Sequence, residues 1–163
     1  MSALRDMAAT YRGPGRVLSR MLAAGQREDR ALAVLMAACA LIFVAQWPRL
    51  ARQAYLTGTD LNPLLGSTLL AWIFMAPLAL YMLAALAHLV ARVLGGKGTF
   101  YGARLALFWA LFASVPLLLL HGLVAGFIGP GPQLAMVGVV WLSVFGWFWV
   151  SGLLAAERGA HDV

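Results

Sequence analysis

Long apolar runs, separated by short turns rich in glycine and proline, constrain this chain more than any other feature. A helix needs roughly 20 residues to cross a bilayer. Runs of about that length recur from Ala31 onward. The composition agrees: 63% of the 163 residues are hydrophobic and 11% are charged, unlike a soluble domain. The sequence therefore reads as a single-domain, all-α, polytopic membrane protein. Four transmembrane helices are expected, preceded by short N-terminal interfacial helices.

Span 1 is read over residues 31–47, with Trp47 and Pro48 at its outer end. The polar loop "RLARQAYLTGTDLN" follows. Asn62-Pro63 has the form of an N-cap and a first-turn proline. Span 2 runs from there to about Ala91 and is long enough to tilt or bend. Span 3 covers residues 102–128, "GPGP" turns the chain, and span 4 covers residues 133–156. The expected divisions are a basic cytoplasmic or interfacial segment (1–30), a four-helix transmembrane domain (31–156) and a cytoplasmic tail (157–163).

The first 30 residues hold six arginines and three acids. Leu4, Met7, Ala8 and Tyr11 are spaced along one helical face, and Val17, Leu18, Met21 and Leu22 form a second after "GPG". Both segments read as short helices on a membrane surface, their arginines reaching headgroups. No signal peptide is evident. Cys39 stands alone in an apolar run, so no disulfide or thiolate metal site is expected.

Four spans put both termini on one side. Ten of the twelve Lys and Arg residues fall on that side, leaving Arg49 and Arg52 on the other. The positive-inside rule then places both termini in the cytoplasm. The basic excess is explained by topology and lipid headgroups, not by nucleic acid.

The turn "LGGKGTFYGARL" (Leu94 to Leu105) invites comparison with a nucleotide-binding loop. That motif needs Ser or Thr after the lysine and a strand before the loop. Here Gly98 follows Lys97, and an apolar span precedes the turn. The reading is a chain reversal: Gly95 and Gly96 stop span 2, and Arg92, Lys97 and Arg104 crowd at the cytoplasmic surface with no acid nearby. Such a cluster suits anionic headgroups.

The run "LGGKGTFYGARLALFWALFASVPLLLLHGLVA" resembles a segment of Yip1-family membrane proteins. In these a Gly-Gly-Lys-Gly-Ser/Thr-Phe turn leads into an apolar span with a central proline. The turn here is Gly95, Gly96, Lys97, Gly98, Thr99 and Phe100, and the proline is Pro116. The resemblance covers roughly residues 30–155. It implies an integral membrane protein without known catalysis. Eukaryotic members associate with small GTPases of vesicle traffic; the bacterial type, which this chain resembles, has no such traffic.

Two ionisable residues lie at membrane depth, and such residues are functional candidates. His88 is one turn before Arg92 and is expected to face headgroups or a backbone carbonyl. His121, 17 residues beyond Arg104, would lie about 25 Å above the inner surface. A hydrogen bond between helices is expected for it. The two are too far apart to share a metal. Pro77 and Pro116, near mid-span, are expected to kink their helices. Trp47 reads as the outer aromatic belt and Trp109, Trp147 and Trp149 as the inner one; Trp72 and Trp141 lie deeper.

Gly102, Ala106, Ala110 and Ser114 recur every four residues, and Gly122 and Gly126 resume the row. Small residues at this spacing let membrane helices approach closely. The row drifts about 40° per step, so two separate contacts are expected. The lower group should meet span 2. The upper pair should meet span 4 or a second molecule.

No paired carboxylates, nucleophile–base set or metal ligands converge, so neither enzyme activity nor a cofactor is expected. The expected function is non-enzymatic association, in a bacterial inner membrane, with lipid (anionic on the cytoplasmic side), with membrane proteins or with itself. One rival is a small accessory subunit of a larger respiratory or photosynthetic complex. A lipid or small-solute transporter is another.

Overall fold

The structure, a computed structural model, describes residues 2–158. It comprises α1 (Ala3–Thr10), α2 (Pro14–Ala23), α3 (Glu28–Thr57), α4 (Leu61–Leu70), a π-helical turn (Ala71–Met75), α5 (Ala76–Val93), α6 (Phe100–Ala113), α7 (Val115–Phe127) and α8 (Pro132–Arg158), with no strand among the described residues. Helices satisfy their own backbone groups, as a bilayer core requires. Three helices are long and apolar enough to cross a membrane: α3, the rod Leu61–Val93 and α8. They become four if α6 and α7, which pass the same test together across a 45° bend, form one span. In the most apolar stretches of the rod and of α8 only 6% of residues are buried. Their apolar side chains face outward, where a soluble protein would place polar ones.

The first helical rod departs from the expected span. Pro48 does not end it: α3 continues through the stretch read as a polar loop and stops at Gly58, which has φ of 65°. Proline removes one hydrogen bond, and in membrane helices packing from a neighbour compensates. Here Gly126 of α7 lies directly on Pro48. The two mid-span prolines are accommodated differently. A proline ring clashes with the carbonyl four residues earlier. Before Pro77 the helix widens into the π turn, where the Ala76 N–H bonds the Ala71 carbonyl, and the rod carries on. At Pro116 the chain bends at Ser114. The Ser114 hydroxyl donates to the Leu111 carbonyl (2.9 Å) and accepts from the Trp141 indole (3.2 Å).

The small-residue row makes its contacts with other partners than expected. Gly102 and Ala106 pack against Ala156 and Gly152 of α8, not against the second rod. Gly122 sits on the backbone of Ala45, with that carbonyl carbon 2.9 Å from where a Cβ would lie, and so packs against α3. Gly126 does the same against Pro48. Ala110 and Ser114 lie buried between these groups. Beyond them Arg52 caps α7, donating to the Gly126 carbonyl (3.3 Å), a favourable place for a cation at a helix C-terminus.

Helix α6 is buried almost all round because the α1–α2 hairpin covers its remaining face. Val17, Leu18 and Met21 turn into the protein, with Leu18 against Gly152. The expected apolar face of α1 is rotated: Leu4 and Ala8 are exposed, while Asp6 and Thr10 are buried. Polar bonds set that register. The Thr10 hydroxyl donates to the Asp6 carbonyl (2.7 Å) and accepts from the Trp109 indole (3.0 Å). Trp109 is therefore core, while Trp47 and Trp147 remain about half exposed.

Candidate functional site at the glycine turn

The turn is assembled from two helix ends and a carboxylate. Gly95 takes φ of 91°. Its N–H bonds the Arg92 carbonyl (3.1 Å), and the Gly96 N–H bonds the Ala91 carbonyl (2.8 Å). This pair of bonds is the glycine stop of a helix C-terminus. Three residues later Thr99 starts α6, its hydroxyl accepting from the Gly102 N–H (3.1 Å), an N-cap. The six-residue motif thus closes one helix and opens the next.

Glu157, near the end of α8, enters the space between them. Its Oε2 accepts from the Gly98 N–H (2.7 Å). A side chain on Gly96 or Gly98 would run into this carboxylate. The requirement for glycine at both positions is therefore steric. His88 Nδ1 is 3.7 Å from Glu157 Oε1. Both atoms are buried, and neither has a hydrogen-bond partner among the described residues. The His88 side chain is 4% exposed and that of Glu157 10%, so bulk water does not separate them. The imidazole also lies against Phe100, ring centres 4.1 Å apart.

Several expectations change here. The turn does have acids nearby: Glu157 fills it, and Glu28 pairs with Arg104. Arg104 also lies over the Tyr81 ring (5.9 Å). Of the three basic residues only Arg92 and Lys97 are exposed. His88 faces a carboxylate instead of headgroups. Its partner belongs to α8, which runs through Glu157 and Arg158; residues 159–163 of the expected tail lie outside the described residues. His121 makes no hydrogen bond among the described residues; its ring lies by Gly138 of α8. Trp141 stacks on Phe145 (5.4 Å) inside the bundle, and Trp72 packs against the core.

Chemically, the turn holds a fixed internal carboxylate where a phosphate-binding loop would hold its ligand. A Gly98 N–H already bonded to Glu157 is not available to an anion. Sequence reasoning missed Glu157 and Glu28. The usable signal was that both acids lie at the boundaries of apolar runs, where a carboxylate needs a partner as soon as the helix packs. Among the described residues no group of three or more His, Cys, Asp or Glu could hold a metal ion.

No family model, no curated protein and no solved structure matches the chain.

Proposed function

We propose that the chain is a four-span protein of a bacterial inner membrane, of the Yip1 type, with α6 and α7 forming one bent span. On this reading it works without catalysis, by associating with anionic lipid and with neighbouring membrane proteins. The observation that carries it is where the charge lies on the packed bundle. The ion pair of Arg104 with Glu28 and the bond from Gly98 to Glu157 bring the start of α3, the glycine turn and the end of α8 to one end. The α1–α2 hairpin packs on α6 and α8, the helices that start and finish at that end. Ten of the twelve basic residues belong to these segments and their flanks. At the other end are Arg49 and Arg52, the latter spent on capping α7. Such asymmetry orients a multi-pass protein with its basic end in the cytoplasm. The Yip1 reading rests on the sequence motif of the Gly95-to-Phe100 turn.

Two measurements test this. A fluorescent reporter fused after Val163 should fold and report in the cytoplasm, and alkaline phosphatase inserted at Gly58 should be active outside it. The reverse pattern would overturn the topology. Protein purified in mild detergent should retain anionic phospholipid in preference to phosphatidylcholine. A stoichiometric large partner in the same preparation would instead favour an accessory subunit.

A further inference from the structure

An open cleft of about 730 Å³ runs along the outer face of the α1–α2 hairpin. Its floor is made of short side chains, among them Ala8, Ala9 and Val17. Its walls carry Arg5 and Arg12 from α1 and Arg16 and Arg20 from α2. Arg20 is bonded to Asp6 at 3.1 Å, and the Asp6 side chain is 10% exposed. That bond ties α2 to α1 and uses the only acid on the hairpin. Among the described residues the guanidinium groups of Arg5, Arg12 and Arg16 have no ion pair or hydrogen bond. Arg16 lies over Gly13 at the rim: a Cβ there would lie 2.9 Å from Arg16 Nε. The glycine lets this guanidinium lie back against the turn.

We propose that this cleft binds the phosphate of an anionic phospholipid headgroup, and that it, more than the glycine turn, is the chain's lipid contact. The proposal rests on the membrane reading above. Guanidinium groups match phosphate geometry and are the usual choice for it. Three of them without a counter-ion, over an apolar floor, suit an anion with an apolar neighbour.

The position of the cleft, on the flank of the bundle, selects a lipid as the source. The hairpin lies beside the spans and not beyond their ends. Tyr11 donates to the Ala113 carbonyl (3.0 Å) and meets the Phe148 ring edge-on. Gly15 faces Ser151 and Ala155 of α8. The glycine turn offers less, since Arg104 is paired and the Gly98 N–H is taken.

The experiment uses the full chain in dodecyl maltoside micelles, titrated with phosphatidylglycerol or phosphatidylcholine, with bound lipid counted by native mass spectrometry. Wild-type protein should prefer phosphatidylglycerol. Changing Arg5, Arg12 and Arg16 together to Gln should weaken that binding on the order of 100-fold, while the pair Arg92→Gln and Lys97→Gln should change it several-fold at most. If the triple variant does not purify, Arg16→Gln alone should weaken binding several-fold. Millimolar inorganic phosphate should not displace the lipid. If the cleft variants bind like wild type while the turn variant loses the lipid, the cleft is wrong and lipid association stands. If wild-type protein shows no preference for phosphatidylglycerol, lipid association itself fails. Displacement by inorganic phosphate would overturn the lipid as the source.

Discussion

Replacing Gly122 by alanine adds one methyl group at a close approach of α7 to α3. The new Cβ would overlap the Ala45 carbonyl group, whose carbon lies 2.9 Å away. That neighbour is backbone within a helix and cannot rotate aside, so the two helices must separate. Overpacking of this kind costs about 1–3 kcal/mol. Against it stands the better helix propensity of alanine over glycine, about 1 kcal/mol. Rigid backbone on the receiving side puts the clash at the upper end of its range, and a net loss of about 1–2 kcal/mol is expected. Gly146 provides the control, because its added Cβ meets nothing within 4 Å. Gly146→Ala keeps the propensity gain without a clash and should be neutral or stabilising by up to about 1 kcal/mol. Both variants are read by reversible unfolding in mixed micelles against wild type. Gly122→Ala matching Gly146→Ala in stability would refute the close-packed α3–α7 contact.

Further outcomes follow from the same geometry. Glu157→Ala removes the acceptor of the Gly98 N–H and should cost about 1–3 kcal/mol, whereas Glu157→Gln keeps an acceptor and should cost less; equal losses in thermal melts would contradict the assigned bond. Ser114→Ala leaves the Trp141 indole without its partner and should destabilise by about 1–2 kcal/mol, with a shift in tryptophan emission; unchanged emission and melting would count against it. Gly95→Ala places a side chain at φ of 91° and should cost about 1 kcal/mol or more, whereas Gly66→Ala in α4, with open space around it, should not; the pair is compared by melting temperature. Lys97→Ala should show the same lack of nucleotide binding as wild type by equilibrium dialysis, and nucleotide bound by wild type and lost in the variant would revive the phosphate-loop reading.

Local physics made much of the architecture readable in advance. Helices of membrane-spanning length follow from the apolar runs, because a long apolar segment can bond its backbone only to itself. The stop at Gly95 follows from the conformational freedom of glycine, and a bend near Pro116 from its missing N–H and its ring. The charge imbalance between the loops is likewise a property of the sequence. Other features depended on which helix lies next to which. Pro48 looks like an end when read along the chain, yet α3 passes through it because Gly126 packs there. The row from Gly102 to Gly126 announced close contacts but not its partners, since small residues fit α8 or α3 equally well. Glu157 stands 59 residues from Gly98, and no spacing rule links a carboxylate to a glycine turn at that distance. The register of α1 was misread for a related reason. Its apolar periodicity favoured Leu4 and Ala8, but a hydroxyl that meets both Asp6 and Trp109 turned Thr10 inward. Local preferences form helices at modest cost along the chain, whereas side-chain partners are settled only when distant segments pack and each buried polar group must find a bond.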